Sequence, residues 1–299
     1  MRARVLSLSA LACPPALGAC TPAVRPAAPE AAAVAQPTPP AASAHDNLNA
    51  VLWMQSSAEY RAAAMTVYRA AGDRLDVALK QKKWDALVPG ERGNAATGLK
   101  PAVIMDVDET VLDNSPYQAR LIRDGQDYSE VTWDQWVQEQ KAKAVPGVVE
   151  FAKAASARGV TVLYLSNRAV HLKDATLANL KAVGMPVKDD SVFLGLGTVV
   201  EGCEQNGSEK DCRRRLAGQK YRVLMQFGDQ LGDFVQVLVN TPDGRAQLVS
   251  QYGGWFGERW WMLPNPSYGN WEPAVFNNDW SQPADVRRAA KQDALDLAR

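Results

Sequence analysis

Histidine is scarce in this chain of 299 residues: only His45 and His171 occur. One lies in an Ala/Pro-rich stretch and the other begins an expected helix, so neither stands in a catalytic setting. Chemistry through a phosphohistidine is excluded. Charge of one sign is lacking too, because 33 Lys and Arg balance 33 Asp and Glu, with a pI near 6.7. That balance leaves no electrostatic footprint for nucleic acid or for an anionic membrane surface, and an anionic ligand must be met by local groups. No internal repeat is visible. No segment is apolar for long enough to cross a bilayer. Hydrophobic residues are plentiful at 46%, enough for a packed core, and the length permits one large or two small domains.

The first residues combine the charges of Arg2 and Arg4 with the apolar run Val5 to Ala12, the n-region and h-region of a secretory signal over 1–19. Leu17-Gly18-Ala19-Cys20 resembles a bacterial lipobox, which makes Cys20 the lipidation candidate and implies anchorage to the outer membrane. Pro14 and Pro15 interrupt the apolar run, and a plainly cleaved signal with a soluble periplasmic or secreted product is the other reading. Residues 20–45, rich in Ala and Pro, bury too little apolar surface to fold and read as a tether.

Cysteine is sparse as well. Of the four, Cys13 leaves with the signal and Cys20 is the anchor candidate. Cys203 and Cys212 remain, and export to an oxidising compartment favours a disulfide between them. Two free buried thiols are the alternative.

Periodicity predicts one long helix over 46–82, with Met65, Tyr68, Gly72, Leu75 and Leu79 at three- and four-residue spacings and Asp46 as its cap. A polar loop at 89–100 leads to a first core strand. An insert at about 114–145 carries Tyr117, Tyr128, Trp133 and Trp136. Pro146-Gly147 opens a helix leading into a second strand at Val160 to Leu165. A helix at 171–183, a short strand at Ser191 to Leu194, a strand at 221–227 and a late strand at Arg259 to Leu263 follow. Alternation of strand and helix predicts an α/β fold on a parallel sheet with right-handed crossovers.

The most informative run is Ile104-Met105-Asp106-Val107-Asp108-Glu109-Thr110, in which an apolar strand delivers two acids into a turn. Such strand ends are where α/β folds place their chemistry. In an extended strand Asp106 and Asp108 share a face, and two carboxylates there repel unless a cation, a proton or separate roles relieve them. A DxD taken alone is also read as a turn cap or a solvated loop end.

This DxDxT run resembles the nucleophile motif of the haloacid dehalogenase superfamily, and its wider form DVDETVLDN is similar to the bacterial class C acid phosphatases and their lipoprotein 5′-nucleotidase members. Ser166-Asn167-Arg168 after the second strand matches the family's second motif. Gly228-Asp229-Gln230-Leu231-Gly232-Asp233 matches its GDxxxD motif, and Lys210 stands where the family carries a lysine. Trp255-Phe256-Gly257 and Leu263-Pro264-Asn265-Pro266-Ser267-Tyr268-Gly269 resemble its C-terminal signature, so the likeness spans roughly 48–276.

The resemblance implies a Rossmann-like parallel core from about residue 98 and a small helical cap drawn from 46–90 and 114–145, together one phosphatase domain over 46–299. It implies Asp106 as the nucleophile that becomes an aspartyl-phosphate, and Asp108 as general acid, then base. Mg²⁺ would be held by Asp106, Asp229 and the Asp108 carbonyl, with Asp233 holding a metal-bound water. Ser166 and the Asn167 main-chain nitrogen would bind phosphoryl oxygens while Lys210 keeps Asp106 ionised.

Read singly, these residues have plainer explanations. Acids at a helix start answer its dipole, Ser-Asn after a strand is an ordinary turn, and a lysine beside Arg213, Arg214, Arg215 and Lys220 is ordinarily solvated. Together they predict a Mg²⁺-dependent acid phosphatase for phosphomonoesters, with nucleoside 5′-monophosphates favoured and Trp53, Tyr60 or the insert aromatics available to stack a base. A broad or sugar-phosphate phosphatase and a non-catalytic surface binding lipoprotein are the alternatives.

Overall fold

The computed structural model describes residues 45–298. The signal at 1–19, the Cys20 anchor and nearly all of the tether lie outside the described residues. No helix among them is long and apolar enough to cross a membrane.

The N-terminal helical stretch is two helices, α1 (Leu48–Ser56) and α2 (Ala58–Lys80), not the single one expected. Ser57 breaks it: its backbone is extended and its side chain accepts the N–H of Tyr60, as an N-cap does. Serine's hydroxyl competes with the helical ladder, and here the competition starts a new helix. Asp46 caps nothing; it pairs with Arg288 at 2.9 Å and Lys291 at 3.3 Å, which ties the residues before α1 to the helix at Ala284–Asp293.

The core starts with β1 (Lys100–Met105). A short ribbon of β2 (Leu112–Asp113) and β3 (Lys143–Ala144) then carries the insert, helices α3 (Ser115–Asp124) and α4 (Glu130–Glu139), out and back. Next come α5 (Val148–Ala157), β4 (Thr161–Ala169), α6 (Lys173–Ala182), β5 (Phe193–Leu196), α7 (Asp211–Lys220) and β6 (Tyr221–Gly228). The chain closes with α8 (Pro242–Gln251), β7 (Trp260–Met262) and α9 (Ala284–Asp293). Strand β4 runs four residues past the expected end, through Ser166, and His171 lies in a 3₁₀ turn before α6.

All pairings in the main sheet are parallel, in the order β5-β4-β1-β6-β7. This is the doubly wound arrangement. Successive strands step outward on one side of β1 and then on the other, which opens a crevice beyond the carboxyl ends of β1 and β6. Strands covered on both faces need apolar residues throughout, and Ala102 to Met105 and Val223 to Met225 are all buried. Against Phe227 of β6, the ring of Tyr68 from α2 stacks at 5.5 Å and that of Phe151 from α5 packs at 4.7 Å. The Tyr68 hydroxyl then reaches the Thr110 carbonyl at 2.6 Å, so α2 braces the turn that follows β1.

Candidate active site

Asp106 continues the ladder beyond β1, donating its N–H to the Phe227 carbonyl. The chain then curls sharply: the Val111 and Leu112 N–H groups both return to the Val107 carbonyl, and Glu109 adopts a left-handed φ of 58°. A non-glycine residue pays strain there. Its carboxylate compensates by accepting the Asn114 N–H at 2.7 Å and contacting the Tyr268 hydroxyl.

Across the crevice, β6 ends at Gly228 and a 3₁₀ turn carries Asp229 to Asp233. Only glycine fits at 228, since a Cβ there would lie 2.3 Å from Asp233. Asp233 Oδ2 accepts the Gln230 N–H, which pins the acid to its own turn.

Lys210, at the start of α7, donates to Asp106 Oδ1 at 2.5 Å and to Asp233 Oδ1 at 2.7 Å. It is buried, unlike an ordinary surface lysine. Oxygens of Asp106, Asp229 and Asp233 lie within 4.8 Å of one another. One ammonium therefore bridges two of three clustered carboxylates. Burial pushes Asp106 up, with Lys210 opposing. Burial and the Asp233 charge push Asp229 up to about 7. Burial pulls Lys210 down, but the two facing acids outweigh it and hold the ammonium charged.

This all-oxygen set fits a hard divalent cation. Asp229 Oδ2 is taken by Gln230 at 2.8 Å and Asn265 at 2.7 Å, and both Asp233 oxygens accept donors. Asp106 Oδ2 and Asp229 Oδ1 accept no hydrogen bond among the described residues, which leaves two carboxylate oxygens of the cluster without a donor. Mg²⁺ prefers few protein carboxylates and fills its shell with water and phosphate oxygens.

Asp108 lies apart from that cluster. Its Oδ1 accepts from Arg168 Nε and Asn114 Nδ2, both at 2.9 Å, and Oδ2 receives the Ser166 hydroxyl at 3.4 Å. The structure thus brings Ser166 onto Asp108. Asn167 points its side-chain oxygen at Arg213, 2.8 Å away. Arg168, Asn114, Glu109 and Tyr268 were not singled out from the sequence, although Arg168 and Asn114 stand in the SNR and LDN runs that were. No spacing rule marks a buried arginine as an acid's partner.

Cys203 and Cys212 form a disulfide with a Cα–Cα distance of 5.6 Å, closing the loop that ends in Lys210 and α7. Aromatic rings line the insert: Trp133 lies 5.2 Å from Tyr117 and carries the Arg168 guanidinium 5.4 Å above its face. Tyr60 is buried, its ring 5.5 Å from Trp53, and its hydroxyl has no partner among the described residues.

A doubly wound parallel sheet with paired acids after its first strand and a lysine-bridged acid turn after its fourth in chain order defines an α/β enzyme core of the haloacid dehalogenase type. The model of HAD superfamily, subfamily IIIB (Acid phosphatase) matches residues 16–271, and the chain belongs to that family. The class C acid phosphatase from Bacillus anthracis has a similar structure, with a TM-score of 0.71 and 33% identity over 84% of this chain and 96% of that one. A structure of that enzyme with tungstate bound superposes with a TM-score of 0.72. Among curated relatives, a stem 31 kDa glycoprotein of Glycine max is 26% identical over 55% of this chain and 58% of its own. Acid phosphatase 1 of Solanum lycopersicum is 24% identical over 55% of this chain and 57% of its own. The chain spans little more than half the length of these curated relatives.

Proposed function

We propose that this chain hydrolyses phosphomonoesters through an aspartyl-phosphate on Asp106. The observation that carries the reading is the Lys210 to Asp106 contact, which engages one Asp106 oxygen and leaves the other without a hydrogen-bond donor among the described residues. A carboxylate attacks phosphorus only while ionised, and the ammonium opposes the upward push of burial. Asp108 protonates the departing oxygen and later takes a proton from water. Ser166 and the Asn167 main-chain nitrogen serve the phosphoryl oxygens.

Mg²⁺ suits the Asp106 and Asp229 oxygens, with the Asp108 carbonyl and Asp233 in support; when bound it neutralises charge on the phosphoryl group. Tungstate, a tetrahedral oxyanion, binds the similar Bacillus anthracis enzyme, which supports a phosphate-shaped site. A nucleoside 5′-monophosphate is the proposed substrate, with Trp133 and its neighbours in α3 and α4 offering ring surface beside Arg168, which touches Asp108.

A panel of nucleoside monophosphates, sugar phosphates and aryl phosphates, each assayed with chelator and after Mg²⁺ is restored, tests this reading. Turnover that is fastest on nucleotides and lost with chelator is expected. No turnover on any ester would leave a binding protein. The disulfide supports export, and export with a Cys20 lipid anchor is part of the proposal. Cys20→Ser should then shift the protein from the membrane to the soluble fraction with unchanged rate constants.

A further inference from the structure

We propose that Asn114, held by Trp136 of the insert, is a positioning residue that decides which oxygen of Asp108 carries the proton. The inference rests on Asp108 being the general acid of the reaction proposed above.

Asn114 is fully buried and every polar atom of it is engaged. Its Oδ1 accepts the Trp136 indole N–H at 2.8 Å and an Arg168 N–H at 3.2 Å. Indole and guanidinium nitrogens only donate. The atom facing them must therefore be the amide oxygen, which turns the NH₂ toward Asp108. There it donates to Oδ1 at 2.9 Å, while the Asn114 main-chain N–H holds Glu109. A flipped amide would set donor against two donors and oxygen against carboxylate. One orientation survives, and it is imposed from α4 by Trp136 with Arg168 of β4 in support.

At Asp108 the consequence is an asymmetric carboxyl group. Oδ1 accepts two N–H donors, from Asn114 and from Arg168, which fills its lone pairs. Oδ2 has only the Ser166 hydroxyl at 3.4 Å. A proton on this acid resides on Oδ2. In the reaction, an Asp106 oxygen forms a bond to phosphorus as the bond to the ester oxygen breaks, its electron pair staying on that oxygen. The Oδ2 proton passes to the same oxygen, releasing a neutral alcohol and leaving Asp108 as a carboxylate whose Oδ1 keeps both donors. Without Trp136, the amide is held only by the longer Arg168 contact, the flipped orientation is less strongly opposed, and Oδ1 becomes a rival home for the proton.

The test compares Trp136→Phe, which removes the indole N–H and keeps an aromatic ring, with Asn114→Ala and Asp108→Asn. For each, kcat/KM is measured on glycerol phosphate and on 4-nitrophenyl phosphate, because kcat/KM covers steps up to alcohol release. An alkoxide needs the proton and nitrophenolate scarcely does. The alkyl-to-aryl ratio should fall about tenfold in Trp136→Phe and further in Asp108→Asn, where the acid is gone. Circular dichroism and thermal melting verify folding, and if Asn114→Ala does not fold, Trp136→Phe decides. A ratio unchanged in Trp136→Phe while Asp108→Asn shifts it overturns the role of Asn114 alone. A ratio unchanged in Asp108→Asn overturns the general acid, and this inference with it.

Discussion

Lys210 Nζ lies 2.5 Å from Asp106 Oδ1, although 104 residues separate them in the chain. The lysine arrives from the start of α7 and the acid from the end of β1. The disulfide at Cys212 and the Arg213 guanidinium, which donates to the Ser208 and Glu209 carbonyls, hold the loop that delivers the lysine. Asp106 and the cation beside it therefore answer to different parts of the fold.

Replacing Asp106 by Asn should abolish turnover while leaving the fold in place, because an amide forms no acyl-phosphate. Rates on a nitrophenyl ester, with circular dichroism as the control, check this. A folded variant with near wild-type kcat would remove Asp106 from the role.

Lys210→Met should lower kcat by roughly 10²–10³, the usual range for losing a preorganised charge at a reacting centre. It also leaves Asp106 buried without the ammonium that opposes its upward push, so its protonation becomes easier still. A carboxyl group whose folded pKa is raised contributes stability present at acid pH and lost as pH rises through that pKa. The variant should thus melt well below wild type at pH 7.5 and close to it at pH 5, as a thermal scan at both pH values would read.

Asp229 adds to the pH sensitivity of the metal-free protein, alongside the buried Asp106 and Glu109, which burial also pushes up. The Asp229 carboxyl group sits at about 7 through burial and the Asp233 charge, above the ordinary carboxylate value. The folded state then binds a proton that the unfolded state gives up, and stability falls as pH rises from about 4 to about 7. Chelator-treated protein should gain melting temperature on acidification from pH 7.5 to 5.5, and saturating Mg²⁺ should flatten that trend. Asp229→Ala should weaken the trend and raise the Mg²⁺ needed for activity steeply.

The Cys203 to Cys212 bridge closes a short loop. Chain-entropy reasoning gives it roughly 2–3 kcal/mol. Melting with and without dithiothreitol should show that loss in wild type and not in Cys203→Ser. Mass spectrometry finding two free thiols in exported protein would exclude the bridge.

The run DVDET, the SNR run and the GDxxxD run marked where strands end and what they carry, because a chemical motif on a buried strand is compact in sequence and its apolar flank announces the strand. Legibility failed where a side chain's meaning depends on a distant partner. Asp46 has a capping residue's chemistry, yet Arg288 and Lys291 claim it. Ser57 looked like a helix interior residue and acts as a cap. Arg168 reads as a surface charge and is buried against Asp108 and Asn114.

By itself, the sequence determined the parallel α/β class, the strand-end position of Asp106, Asp108 and Asp229, and the family, since local periodicity and short motifs carry that information along one stretch of chain. The family resemblance already named Lys210 as the partner of Asp106, whereas tertiary structure alone decided that Asp233 shares the same ammonium. Tertiary structure also decided that Trp136 orients Asn114 toward Asp108. Those contacts arise only when the crossovers bring α7 and the insert helices to one end of the sheet, and a hydrogen bond between residues far apart in sequence leaves no period or spacing to read.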